Sequence, residues 1–144
     1  METWKDARFL DVGCGMGRNS YWPMKWGAAG GAAIDVDQRS LSSAGRTLRE
    51  YPSVDVCQKS VYDLAEENVF DIVFSIGVIH HLSDPQLALQ KMVAATKPEG
   101  QVLVWVYGRE NNGWIVWLAN PLRKVLFSAC LFLGCTPSPG PRPE

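Results

Sequence analysis

Short apolar runs alternate with amphipathic segments along about the first hundred residues of the chain. Each apolar run has the length of a buried strand, and each amphipathic segment is long enough for a helix. The predicted strands are a run that ends at Asp11 and the segments 30–35, 54–58, 70–76 and 102–106. The predicted helices are residues 19–26, residues 39–51 and a segment that begins at Pro85 and stops at residues 97–100. This alternation predicts an α/β fold with a doubly wound, mostly parallel sheet.

A glycine-spaced loop follows the first predicted strand. Asp11 ends the apolar run, and Gly13, Gly15 and Gly17 follow it, while Arg18 stands where the dinucleotide fingerprint G-x-G-x-x-G has its third glycine. Glycine permits a tight, partly left-handed backbone, on which we expect unobstructed N–H groups beside a ligand. The acid suits a ligand that carries an ammonium group better than one that carries a pyrophosphate.

A second acid, Asp35, ends the second predicted strand about twenty residues beyond the loop. In nucleoside-binding α/β folds a carboxylate at this place accepts the protons of both ribose hydroxyls. Asp35 could instead cap the next helix, but Asp37 suits that position better. In the preceding helix, Pro23 is tolerable only near the first turn.

The stretch D-x-G-x-G-x-G from Asp11 to Gly17 resembles the first motif of class I S-adenosylmethionine-dependent methyltransferases. The strand sequence F-D-I-V-F-S and the histidine pair ahead of Asp84-Pro85 look like the fourth motif of small-substrate methyltransferases. Pro85 suits the first turn of a helix that is capped by Ser83 or Asp84. The resemblance covers residues 8 to about 107 and implies a Rossmann-like methyltransferase fold, S-adenosyl-L-methionine as cofactor and methylation of an acceptor.

The resemblance also implies a set of cofactor-binding residues on the loop and at the ends of the next strands. They are Asp11, Gly13, Cys14, Gly15, Gly17, Asp35, Val36, Ser60, Val61 and Ile76. Ser60 departs from the family pattern, which usually has an acid beside the adenine amino group. A serine hydroxyl can still accept a hydrogen bond there, whereas Asp63 lies too far along the chain to substitute.

His80 and His81 are the candidate catalytic residues. A sulfonium methyl already carries a good leaving group, so the protein mainly aligns donor and acceptor. A base is needed only where the acceptor must lose a proton, and neutral imidazole is competent near pH 7. The alternative is that one of the two histidines packs or caps locally. Because they are adjacent in the sequence, we expect at most one of their rings to face the pocket. Candidates for the acceptor pocket are Tyr21, Trp22, Tyr107 and Arg109.

The composition of the chain limits which kinds of ligand and partner we expect it to bind. A chain of 144 residues with 47% hydrophobic content supports one core, which we place in residues 1–107. The net charge of −1 gives no electrostatic case for nucleic acid, so a small-molecule methyl acceptor is expected. The cysteines, at positions 14, 57, 130 and 135, lack neighbouring histidines, which argues against a metal site. Reduced thiols and a cytoplasmic location are expected.

The C-terminal third fits the family less well. Residues 108–135 are predicted to be apolar helical segments that pack on the core or on a partner, and the Pro-rich tail 136–144 is predicted to be disordered. The apolar segment 125–133 is expected to be a core or interface helix, with a membrane-surface helix as the alternative. The family's terminal antiparallel hairpin is missing from the predicted elements. The fifth strand would then be an edge, and self-association through the apolar helix is expected.

Two rival functions stay open. The first is a catalytically impaired S-adenosylmethionine or nucleoside-binding module, or a fragment of a longer enzyme, and Ser60 and the missing strands favour that interpretation. A Rossmann-type oxidoreductase is disfavoured by the glycine spacing and by Asp11.

Overall fold

The computed structural model describes residues 2–107 of the chain. The strands are β1 Arg8–Val12, β2 Gly30–Asp35, β3 Val54–Gln58, β4 Phe70–Ile76 and β5 Thr96–Trp105. The helices are α1 Arg18–Lys25, α2 Gln38–Thr47 and α3 Pro85–Ala95, and short 3-10 turns cover Glu2–Trp4, Val61–Asp63 and Ile79–His81. The predictions for the segments 108–135 and 136–144 lie outside the described residues.

The described strands form one parallel sheet in the order β3-β2-β1-β4-β5. The central strand β1 pairs with β2 on one side and β4 on the other, so that Asp11 lies beside Ala33 and Phe74. The chain winds outward in both directions from β1, and the carboxyl ends of β1, β2 and β4 therefore meet at the switch point where such sheets bind ligands. The predicted α/β fold is confirmed.

The sheet has an apolar cluster on each face. Phe9 and Phe74 belong to the cluster under α1 and α2, whereas Leu10, Val73 and Met92 belong to the cluster under α3. Alternation along β1 puts neighbouring residues on opposite faces, and both Phe9 and Leu10 are almost completely buried. Each such side chain contributes about 1.5–3 kcal/mol to the free energy of unfolding.

The position of Pro23 differs from the prediction. Helix α1 begins at Arg18, so Pro23 is its sixth residue and lies in the second turn rather than the first. Proline removes the N–H that would bond to the carbonyl of Asn19. The ring is buried in return, and packing therefore outweighs the lost hydrogen bond.

The other helix and strand ends also differ from the prediction. Helix α2 ends at Thr47, before the predicted 51. Strand β5 begins at Thr96, directly after α3, and the residues 97–100 that were expected to stop the helix lie inside it. Phe70 pairs with Thr96 but Ile72 pairs with Gln101, so the segment 97–100 bulges out of the pairing.

Strand β5 exposes much of its apolar surface. Leu103 is 54% exposed and Trp105 is 47% exposed. Within residues 2–107 its pairing partner is β4 alone. No helix in the same range is long and apolar enough to cross a membrane.

Candidate functional site

The glycine loop after β1 uses left-handed backbone at three positions. The φ angles of Gly13, Gly15 and Gly17 are 77°, 54° and 79°. A Cβ on Gly13 would lie 2.6 Å from Cγ2 of Val78, whereas a Cβ on Gly15 would meet no atom of the described residues within 4 Å. Gly13 therefore allows a close contact within the protein, and Gly15 faces open space where a ligand can approach the backbone.

The N–H groups of the loop are largely engaged within the protein. Those of Gly13 and Cys14 donate to the carbonyl oxygen of Ile34 at 2.9 and 3.0 Å. That of Gly15 donates to Oδ2 of Asp35 at 2.8 Å. The prediction of unobstructed N–H groups is wrong at these positions, because they join the loop to the end of β2.

Asp35 lies at the carboxyl end of β2 and is half-buried. Its Oδ2 accepts from Gly15, and its Oδ1 accepts from the N–H of Asp37 at 3.0 Å. An ionised carboxylate offers about four lone-pair positions, so about two are left for a ligand. The next residue, Val36, is 66% exposed, and its carbonyl accepts from Nε2 of Gln58 at 2.9 Å.

Asp37 caps helix α2, as predicted. Its carboxylate accepts from the N–H groups of Arg39 and Ser40 at 3.2 and 3.1 Å. These bonds lower the pKa of the Asp37 carboxyl, with the side-chain hydroxyl of Ser40 as the largest cause. The two neighbouring acids thus make different contacts, since Asp37 caps helix α2 and Asp35 accepts a hydrogen bond from the glycine loop.

Asp11 lies beneath the loop and is completely buried. The Ser20 hydroxyl donates to its Oδ2 at 2.6 Å, and its Oδ1 has no hydrogen-bond partner among the described residues. Burial raises the pKa of Asp11 to about 7, the Ser20 bond opposes this, and the charge of Asp35 adds to it. The sequence analysis missed Ser20, whose signal is a polar residue at a buried position of α1.

Cys14 is a buried, unreactive thiol within the loop. Burial, followed by the charges of Asp11 and Asp35, raises its pKa to about 12. Burial also raises the pKa of the half-buried Cys57. Both cysteines are free, and no cluster of potential metal ligands occurs in residues 2–107. A thiolate nucleophile is therefore not available in this loop near pH 7.

The turn after β3 is the candidate adenine side of the site. The Ser60 hydroxyl accepts from the N–H of Tyr62 at 3.3 Å and caps the turn Val61–Asp63. Val61 is buried in the cluster under α3, and Asp63 is exposed. Ser60 keeps further hydrogen-bonding capacity for a ligand.

The segment 77–84, which links β4 to α3, carries the histidine pair. Both histidines are exposed, and their ring centroids lie 3.9 Å apart. The two rings are therefore side by side on one turn rather than directed to opposite sides. Asp84, not Ser83, caps α3 by accepting from the N–H of Leu87 at 2.9 Å, with Pro85 in the first turn.

An apolar cleft of about 180 Å³ lies between α1 and the strands β4 and β5. Its lining residues are Trp4, Asn19, Trp22, Pro23, Trp26, Phe74, Ile76 and Leu103. Ile76, a predicted cofactor residue, joins the cleft to the carboxyl end of β4. Trp22 stacks on Trp26 with 5.9 Å between ring centroids. Tyr21 instead packs against Tyr51 and the core cluster, and Arg109 lies outside the described residues.

Known proteins resemble this chain over the same region. The family model described as "Methyltransferase domain" matches residues 10–104. A tRNA U34 carboxymethyltransferase of Cellvibrio japonicus (strain Ueda107) is 34% identical over 87% of this chain and 46% of that protein. A ubiquinone biosynthesis O-methyltransferase of Rickettsia felis is 26% identical over 74% of this chain and 44% of that protein. The chain thus spans less than half the length of either relative.

The sheet topology also has a solved counterpart. A SAM dependent methyltransferase from Aquifex aeolicus superposes with a TM-score of 0.67 at 22% identity. The superposition covers 74% of this chain and 60% of that one. At that level of identity the likeness concerns the fold.

Proposed function

The chain belongs to the family of methyltransferase domains, whose cofactor is S-adenosylmethionine, and on that premise we propose that it methylates a small, largely apolar acceptor. One observation carries the cofactor part of the proposal. The Asp35 carboxylate at the end of β2 accepts from the N–H of Gly15 at 2.8 Å, so that the acid we assign to the ribose adjoins the glycine loop at the switch point of the sheet.

The residues present suit S-adenosylmethionine. Asp35 retains lone pairs for the two ribose hydroxyls, and the open space beside Gly15 admits a ligand against the backbone. Oδ1 of Asp11 has no hydrogen-bond partner among residues 2–107, and a carboxylate buried beneath the loop favours a nearby ammonium group over an anion. The Ser60 hydroxyl suits the adenine amino group, as the acid of the family pattern would.

S-adenosylmethionine supplies a methyl group on a sulfonium, which leaves as a neutral thioether. The chain's own contribution is then to hold the two reactants in line and to exclude water. Ile76 lies at the meeting point of the cofactor side and the apolar cleft, where alignment has to occur. His80 or His81 serves as general base if the acceptor must lose a proton.

The apolar cleft favours a small acceptor over a nucleic acid. It is lined by Asn19 and the tryptophans Trp4, Trp22 and Trp26 together with aliphatic and phenyl groups, and none of the described residues that line it is charged. Nucleic acid binding depends on Lys and Arg contacts to phosphates. One relative is named for a tRNA reaction, so tRNA is the competing acceptor in the experiment.

Calorimetric titration with S-adenosylmethionine tests the cofactor site. Asp35→Ala should weaken binding by about 1–3 kcal/mol, because the ribose hydroxyls lose a charged acceptor. The matched control is Asp37→Ala, which should lower the stability of helix α2 through loss of its N-cap and leave the affinity unchanged. Circular dichroism verifies that both variants fold. The reverse ranking of the two affinities would contradict the assignment of the acids.

Methyl-labelled S-adenosylmethionine tests the acceptor. The protein is incubated with a small-molecule extract in one arm and with total tRNA in the other. Label in an apolar small molecule supports the proposal, and label in tRNA alone refutes the acceptor class. If the cofactor binds but neither arm is labelled, the second candidate is favoured, a nucleoside-binding module without transferase activity. Serine at position 60, in place of the acid of the family pattern, supports that candidate. Titration with NAD separates both from an oxidoreductase.

A further inference from the structure

The segment 77–84 is held at both of its ends by hydrogen bonds. At its start, the N–H of Gly77 donates to the carbonyl oxygen of Trp105 at 2.8 Å. At its end, the N–H of Asp84 donates to the phenolic oxygen of Tyr62 at 2.8 Å. One backbone group and one side chain from elsewhere in the fold thus hold the two ends of the segment, while Ile79 between them is buried in the cluster under α3.

The Tyr62 hydroxyl makes three polar contacts at the far end. Besides the Asp84 N–H, it lies 3.3 Å from the Asp84 carbonyl oxygen and 3.2 Å from the Ser83 hydroxyl. A phenol has one proton and accepts about two hydrogen bonds, so it satisfies all three contacts when Ser83 donates. The hydroxyl is thus fully used in fixing the residues that start α3.

The segment 77–84 is also a wall of the cofactor site. Val78 lies so close to Gly13 that a Cβ there would come within 2.6 Å of it. His80 and His81 follow on the turn Ile79–His81. A displacement of the segment would therefore move both the neighbour of the glycine loop and the candidate bases.

We propose that Tyr62 is a positioning residue: its hydroxyl ties the turn Val61–Asp63, on the adenine side, to the segment 77–84. In doing so it sets the position of Val78 and the histidine pair relative to the glycine loop. The inference rests on the proposed function, because it assigns Tyr62 a role in the same cofactor site.

Helix α3 is attached to the same region by a second contact, which does not involve the Tyr62 hydroxyl. Nζ of Lys91 donates to the carbonyl oxygen of Leu64 at 3.0 Å, which joins α3 to the residues after the same turn. The cluster under α3 also includes the Tyr62 ring at its margin. Loss of the hydroxyl alone therefore leaves α3 docked and Ile79 buried, and it loosens the segment at its Asp84 end.

Tyr62→Phe is the direct test, since it keeps the ring and removes the hydroxyl. Without ligand, amide hydrogen exchange in residues 78–83 should accelerate about two- to tenfold, the change expected for one lost hydrogen bond. The Kd for S-adenosylmethionine should rise by a similar factor, about two- to tenfold. Exchange in β1 and β2 should stay unchanged. Tyr51→Phe, at a half-buried tyrosine on the opposite face, is the matched control and should change neither readout.

The outcomes are distinguishable. Unchanged exchange in residues 78–83 of Tyr62→Phe overturns the proposal whether or not the cofactor binds. Faster exchange with an unchanged Kd overturns the link between the segment and the site. If the unmodified chain does not bind S-adenosylmethionine, the proposed function fails, and Tyr62 as a positioning residue of a cofactor site fails with it. The exchange rates would still report whether its hydroxyl holds the segment.

Discussion

The carboxyl ends of β1 and β2 differ sharply from the neighbouring ends of β4 and β5. At the first pair, polar groups are hydrogen-bonded to one another, since the buried Asp11 accepts from Ser20 and the half-buried Asp35 accepts from Gly15. At the second pair, apolar surface predominates, and Leu103 is 54% exposed beside the tryptophan-lined cleft. Hydrogen-bonded polar groups thus predominate at the ends of β1 and β2, and exposed apolar surface predominates at the ends of β4 and β5.

The difference indicates how narrowly each region would select its ligand in the proposed reaction. Hydrogen bonds need particular atoms at particular distances, so in the proposed site the remaining acceptor positions at the ends of β1 and β2 favour a ligand with hydroxyl and amino groups. Apolar area is non-directional, so the ends of β4 and β5 define an acceptor only by its size and hydrophobicity. The cofactor is consequently defined more narrowly than the acceptor.

The largest expected effect concerns the charge under the glycine loop. The pKa of Asp11 is 3.8 ordinarily and about 7 in the fold, so between these values the unfolded state binds fewer protons than the folded state. The free energy of unfolding should therefore fall by roughly 4 kcal/mol as the pH rises from about 4 to about 7, and fall no further on this account above 7.

Asp11→Asn removes that titration. Denaturant unfolding of both proteins between about pH 4 and pH 8 should show the variant gaining stability relative to the unmodified chain as the pH rises. A constant difference across this range would mean that Asp11 is ionised throughout, and that the two strand ends differ less in burial than their geometry indicates.

The next effect tests the contact that joins the two ends. Gly13→Ala should cost about 2–4 kcal/mol of unfolding free energy, because alanine is strained at a φ of 77° and its Cβ collides with Val78. Adding Val78→Ala removes the two methyl groups at 2.6 and 2.7 Å, and it leaves the Cβ at 3.0 Å and the backbone strain. The double variant should therefore lose less stability than the two single changes predict together. Additive losses in chemical denaturation would show that the loop and the segment after β4 are independent.

The smallest effect on stability is expected at the apolar end. Leu103→Lys should change the free energy of unfolding by less than about 0.5 kcal/mol, since the side chain is mostly exposed. It should nevertheless reduce self-association, because an exposed apolar strand is prone to pair with another chain. Size exclusion with light scattering measures the change. A loss of stability as large as that of a core substitution would show that this surface is covered.

The sequence predicted the strands better than their connections. The bounds 30–35, 54–58 and 70–76 agree with the structure because each apolar run is bounded by glycine, proline or polar residues that stop a strand. The bulge at 97–100 and the interior position of Pro23 depend on packing against other elements. Propensity carries no information about such contacts.

The candidate site was likewise predictable only where its residues interact with near neighbours in the sequence. The cap by Asp37 and the glycine spacing are short-range features, and the structure has both. The partners Ser20, Val78 and Tyr62 were missed, because each meets its contact across a loop or from another strand. Tyr62 and Asp84 are 22 residues apart, and only the folded sheet brings them together.

The hydrogen-bonded glycine loop bears on how the site tells one adenosine compound from another. ATP shares its adenosine half with S-adenosylmethionine and differs in carrying a polyanionic tail. A loop whose amides already serve Ile34 and Asp35 has few donors to offer a triphosphate, and the nearby carboxylate repels it. We therefore expect the proposed site to bind ATP more weakly than S-adenosylmethionine, because the same bonds that shape the loop leave few donors for the phosphates.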